Sequence, residues 1–112
     1  MKLVTAIIKH FKLDDVCEAL SRHDVSGMTI MEVKGYGRQK GVSDVHPGSN
    51  ARVIFLPKLR LEVAVASDQV DKIVDVIRTA ARTGQIGDGK IFVTDLDSAV
   101  RIRTGETDIH AL

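Results

Sequence analysis

Residues 58–66, Lys-Leu-Arg-Leu-Glu-Val-Ala-Val-Ala, alternate with a period of two, placing Leu59, Leu61, Val63 and Val65 on one side and Arg60, Glu62, Ala64 and Ala66 on the other. That pattern predicts a half-buried β-strand, and a strand needs partners. Residues 3–9 are apolar at both odd and even positions, which predicts a strand buried on both faces and central in its sheet. Residues 28–36 and 91–96 predict two more strands. Leu13, Val16, Cys17 and Leu20 repeat at helical spacing, with Asp14 and Asp15 in the first turn and Arg22 and His23 in the last, as the helix dipole prefers. A second stripe, Val70, Ile73, Val74, Ile77, Ala80 and Ala81, predicts another helix capped by Ser67 and ending near Gly84. The order is therefore βαββαβ, an α+β, ferredoxin-like arrangement of four antiparallel strands with both helices on one face. The second face keeps apolar side chains and needs a cover, most economically another copy of the chain.

Composition narrows the chemistry. At 112 residues, the chain forms one domain, residues 1–112. Its 16 basic and 15 acidic residues leave a net charge of +1, too little to provide a general field for nucleic acid or an anionic membrane. One tyrosine, three phenylalanines and no tryptophan give little on which to stack bases, which argues against an RNA-recognition module. The single cysteine, Cys17, excludes an internal disulfide and a cysteine-based zinc site; it sits on an apolar stripe as a core thiol, and a reducing cytoplasm suits it. No apolar run approaches the ~18 residues of a membrane helix, and the apolar N-terminal run is too short for a signal sequence. His10, His23, His46 and His110 are scattered, so no base and nucleophile pair up for catalysis of the kind some ferredoxin-like folds host.

The stretch with the clearest chemistry is Thr83-Gly84-Gln85-Ile86-Gly87-Asp88-Gly89-Lys90, between the second helix and the last strand. Glycines allow positive φ and close approach, so successive N–H groups can converge on phosphate oxygens while Lys90 neutralises charge. It is not a Walker loop, because the lysine leads into a strand and no helix dipole assists. Arg101 and Arg103, about ten residues on, would face one side of an extended segment and supply further cations. A plain glycine-rich turn ahead of an edge strand is the competing reading. Residues 37–55 lack periodicity and read as a long functional loop. It opens with Gly35-Tyr36-Gly37-Arg38-Gln39-Lys40-Gly41, a second candidate anion site.

Residues 83–93, the run Glu32-Val33-Lys34-Gly35-Tyr36-Gly37-Arg38-Gln39-Lys40-Gly41, the run Phe55-Leu56-Pro57-Lys58 and Arg101-Ile102-Arg103-Thr104-Gly105-Glu106 together resemble the PII nitrogen-regulatory signal-transduction family nearly end to end. The resemblance implies a cytoplasmic, non-enzymatic homotrimer that binds ATP or ADP between subunits. It would sense 2-oxoglutarate with Mg-ATP and act through a T-loop, here about 37–55, followed after the last strand by a C-terminal segment, 97–112. Its partners would be an ammonium channel, nitrogen-assimilation enzymes or a transcription factor, with neither nucleic acid bound nor the membrane entered. By position, Gly87, Asp88, Gly89, Lys90, Arg101 and Arg103 would hold phosphates, Thr29, Glu62 and Ala64 would surround adenine, and Gly37 and Arg38 would lie at the loop base. Gln39 corresponds to the metal-contacting position and belongs with Lys58 to the 2-oxoglutarate site, where Lys58 matches the position that pairs with a carboxylate of the oxoacid.

The loop departs from that pattern. Ala51 stands where uridylylated relatives carry tyrosine, and alanine has no nucleophile, so uridylylation there is excluded. Ser49 matches the position phosphorylated in cyanobacterial relatives, which makes it a candidate modification site. His10 replaces a usual proline, and Pro47 stiffens the loop tip. The rewritten loop keeps an alternative open: a PII-like sensor of adenylate or inorganic-carbon status that does without 2-oxoglutarate.

Overall fold

The computed structural model describes residues 1–25, 27–38 and 53–112. Its elements are β1 (Lys2–Lys9), α1 (Leu13–Ser21), β2 (Thr29–Arg38), β3 (Val53–Val65), α2 (Val70–Ala81) and β4 (Lys90–Asp95), with short 3-10 turns at His10–Lys12, Ser67–Gln69 and Asp108–Ala111. The strands form one sheet in the order β2-β3-β1-β4, antiparallel throughout. This is the expected ferredoxin-like fold, with β1 in the interior of the sheet because its residues are apolar on both faces.

Alternation decides which face the helices cover. Val4, Ala6 and Ile8 of β1 and Leu59, Leu61, Val63 and Val65 of β3 pack with Val16 and Leu20 of α1 and Ile73, Ile77 and Ala81 of α2 in one buried cluster. Each fully buried leucine or isoleucine there, such as Leu61 or Ile77, contributes about 1.5–3 kcal/mol. Cys17 is half-buried beside this core, its Sγ 3.6 Å from Met28 Sδ. The opposite face follows from the register: Thr5 lies between Glu62 and Phe92, and Arg60 lies between Ile7 and Met31. On it Arg60 pairs with Glu62 at 3.0 Å, while Met31 and Phe92 remain exposed.

Several local expectations change. β2 continues through Gly37 and Arg38, and β3 begins at Val53, so the strands take both ends of the segment 37–55 expected to be loop. The β-branched Val53 and Ile54 and aromatic Phe55 favour extension, and the rings of Tyr36 and Phe55 meet across the pair, tilted at 48° with centroids 5.6 Å apart. The rest of that loop, with Gln39, His46, Pro47, Ser49 and Ala51, lies outside the described residues. Ser67 makes no cap bond to α2; its Oγ accepts a hydrogen bond from the Met1 amine at 2.9 Å, and a 3-10 turn leads into the helix instead. α1 ends at Ser21, so Arg22 and His23 follow it rather than fill its last turn, and α2 ends at Ala81, short of Gly84.

The connection from α2 to β4 admits little variation. Gly89 has φ +102°, and a Cβ placed on it would lie 1.6 Å from the Ile7 carbonyl oxygen, part of the rigid central strand. Gly84, with φ +83°, has open space around it. Gly89→Ala is therefore expected to lower unfolding free energy by about 3 kcal/mol or more, from overpacking added to left-handed strain. Gly84→Ala should cost only about 1–2 kcal/mol. Urea denaturation of the two variants measures the difference, and equal losses would contradict this account of the turn.

A glycine turn and an open-face cavity as candidate functional site

The glycine turn is tied together by one carboxylate. Asp88 accepts hydrogen bonds from the backbone N–H groups of Thr83 and Gly84, both at 2.9 Å, and from the Thr83 hydroxyl. Lys9, at the end of β1, reaches the same carboxylate at 3.2 Å and Thr83 Oγ1 at 3.1 Å. The Thr83 hydroxyl, then the backbone amides and Lys9, hold the Asp88 carboxyl well below the usual carboxylate range against an opposing cost of burial. A carboxylate so placed is an internal strut, not a phosphate ligand. Of the phosphate-holding positions expected from sequence, Asp88 can thus offer only its backbone.

What the strut leaves is a curved run of amides. Gly84, Gly87 and Gly89 all have positive φ, and the N–H groups of Gly87 and Gly89 find no acceptor among the described residues. Lysines surround them. Lys58 lies directly opposite Lys9 in the β1–β3 register and donates from Nζ to the Gly87 carbonyl. Two lysines facing across a strand pair repel; burial first, and then Lys9, push the Lys58 ammonium down, with Asp88 partly offsetting them. Lys90 opens β4, exposed. It lines, with Arg78, Arg82, Asp88 and Gly89, a cleft of about 390 Å³ between β4 and α2. An anion arriving at this end would relieve the crowding of positive charge.

Thr29, Glu62 and Ala64 gather elsewhere. They line an open cavity of about 790 Å³ together with Arg101, Ile109, Ala111 and Leu112. Gly89 packs on Ile7, whose register partner is Arg60. From Arg60 to Ala64 is four residues, or about 13 Å of strand. Glu62, paired with Thr29, is two residues from Arg60, or about 7 Å, so the turn and the adenine positions stand about 7–13 Å apart along the strands. Arg101 lines the cavity at the far end, not the glycine turn. It and Arg103 are not on an extended segment as expected: residues 101–105 form a tight turn, closed by Gly105 N–H to Arg101 O at 2.7 Å and flanked by the Val100–Thr107 bridge. Gly105, with φ +75°, permits it. Gly37 and Arg38 end β2 opposite Ile54 and Val53, at the loop base. Gln39 lies outside the described residues.

Sequence reasoning missed Lys9 and the residues 109–112. Lys9 could have been found only through the register, since it is the facing Lys58 that makes its charge conspicuous.

The match to the family described as Nitrogen regulatory protein P-II covers residues 1–106. The chain is 61% identical over 112 residues to a nitrogen regulatory protein P-II of Rhizobium etli, with 100% of each chain aligned. Over the same full lengths it is 56% identical to the nitrogen regulatory protein GlnK of Escherichia coli and 54% identical to the nitrogen regulatory protein P-II 1 of that organism.

Because Asp88 is a stronger acid in the folded chain than in the unfolded one, its bonds stabilise the fold above the ordinary aspartate pKa of about 3.9 and are lost as pH falls below it. The stability gap between the parent chain and Asp88→Asn should be full at neutral pH and shrink below about pH 4. Urea midpoints at the two pH values test this; a gap that grows with acid would reverse the assignment.

Proposed function

The chain belongs to the nitrogen regulatory protein P-II family, and from that premise we propose that it is a cytoplasmic, non-enzymatic signalling protein that binds ATP or ADP in clefts between the subunits of a homotrimer. The observation that carries the reading is the division of the candidate residues. The glycine turn with Lys90 stands at one end of the sheet, beside the cleft between β4 and α2, and Thr29, Glu62, Ala64 and Arg101 line a cavity at the other end. The adenine positions share their cavity with Arg101, and the Arg101 guanidinium is remote from its own chain's turn. A neighbouring copy supplies that arginine most simply, and a copy packed on the sheet also covers Met31 and Phe92.

In this reading, the free amides of Gly87 and Gly89 and the Lys90 ammonium hold phosphate oxygens, and Arg101 and Arg103 of the adjacent copy complete the cage. Thr29, Glu62 and Ala64 set the base, and Gly37 and Arg38 hold the loop base near the phosphates. Lys58 leaves the Gly87 carbonyl to pair with a carboxylate of 2-oxoglutarate, and Mg²⁺ is held through Gln39 and the phosphates. The loop between β2 and β3 then changes its preference for a target protein, such as an ammonium channel or a nitrogen-assimilation enzyme, because the ligands bind its conformations with different affinity. No described helix is long and apolar enough to cross a membrane. The rewritten loop sequence, with Ala51 and Pro47, favours a second reading in which adenylate or inorganic carbon replaces 2-oxoglutarate as the signal.

Titration calorimetry with ATP, ADP and AMP, each with and without Mg²⁺, 2-oxoglutarate and bicarbonate, decides between them. ATP is expected to bind in the micromolar range, about −8 kcal/mol, and to bind more tightly when 2-oxoglutarate is present. Arg101→Ala should weaken ATP at least tenfold, about 1.4 kcal/mol, without changing the trimer seen in sedimentation. A monomer that ignores adenine nucleotides would end the proposal. Binding that responds to bicarbonate but not to 2-oxoglutarate would select the second reading.

A further inference from the structure

Arg101 does not wait free. Its Nη2 donates to the main-chain oxygens of Leu112 at 3.1 Å and Ala111 at 3.4 Å, and its Nε lies 3.9 Å from Glu106 Oε1. Ile109, Ala111 and Leu112 line the same cavity as Thr29, Glu62 and Ala64. The chain's own residues 109–112 thus lie against the adenine positions and hold the guanidinium that would otherwise reach phosphate.

This segment is clamped by a residue outside the binding set. Asp108 has φ +53°, a left-handed conformation that aspartate tolerates better than most residues. Its N–H donates to the Ala99 carbonyl at 2.8 Å, and its Oδ1 accepts from the Ala99 N–H at 3.2 Å. The 3-10 turn that follows, with His110 N–H on Thr107 O at 3.2 Å, aims the Ala111 and Leu112 main-chain oxygens at Arg101. The grip is exchangeable: the arginine side chain remains 42% exposed, and its partners on the segment are two main-chain oxygens. The phosphates of a nucleotide offer Arg101 several charged, bidentate acceptors and compete with those two oxygens for it.

We infer that residues 108–112 are a built-in competitor for the nucleotide site, which hold Arg101 by main-chain oxygens until phosphate takes it, so that nucleotide binding and release of this segment are coupled. The inference rests on the nucleotide reading above and adds a regulatory element to it. Asp108 is the positioning residue. When the held form predominates, the apparent affinity for ATP is lowered by the fraction of molecules in which Arg101 is free.

The test compares ATP binding by the full chain, by Asp108→Ala and by a chain ending at His110, together with amide exchange at His110 and Leu112 in the full chain. Both variants should bind ATP at least about twofold more tightly if the held form exceeds half the molecules. The gain should vanish when Arg101→Ala is added to Asp108→Ala, and ATP should speed exchange at His110 and Leu112. Unchanged or weaker ATP binding in the shortened chain, whose fold loses only two residues, overturns the inference whatever happens to Asp108→Ala. Binding by the parent without gain in the variants sinks this coupling alone. No ATP binding by any of the chains removes the nucleotide reading and the coupling with it.

Discussion

The approach of Gly89 to the Ile7 carbonyl oxygen sets the geometry on which the candidate site depends. At that point the chain leaving α2 must enter β4 beside the central strand with no room for a side chain. With the backbone so close, Lys90 falls into register with Ile7, and the Asp88 carboxylate comes within reach of Lys9, Thr83 and Gly84. The curvature of the amide run and the cleft beside α2 both follow from one steric fact, while the facing lysines come from the β1–β3 register.

The same strand that receives this contact also organises the core. β1 gives Val4, Ala6 and Ile8 to the helices and Leu3, Thr5 and Ile7 to the other face, so one element is read by two surfaces. Helix packing stabilises the first. The second is where the protein keeps charge and partial exposure: the Arg60–Glu62 pair, Thr29 and Phe92. Residues on the face away from the helices can vary in chemistry with little effect on the core that stabilises the sheet.

The fold was legible because alternation and helical spacing carry it. Leu59, Leu61, Val63 and Val65 are all buried, and the α2 stripe at Ile73, Ile77 and Ala81 points inward as its spacing requires. The site was legible only as a set of residue types. A sequence shows that Asp88 stands among glycines; it does not show that the carboxylate is consumed by Thr83 and Lys9, because that depends on where β1 ends relative to β4. Arg101 and Arg103 looked extended from their spacing of two, whereas a glycine at 105 and a backbone bond to Arg101 fold them into a turn. Ser67 has the right type for a helix cap and a different partner, Met1, which only tertiary structure supplies. Lys9 escaped notice since a lysine at a strand end is ordinary until its neighbour across the sheet is also a lysine.

The order of the strands has a consequence for how the chain reaches this state. β1 is made first, yet its partners are β3 and β4, and the Lys2–Asp95 ion pair joins residues 93 positions apart. During synthesis, the first strand must wait for most of the polypeptide to emerge before its second edge is satisfied, and entropy charges each long closure before any contact is formed. Folding therefore completes late and all at once, and a nascent chain halted before β4 carries β1 with one edge open to any passing neighbour.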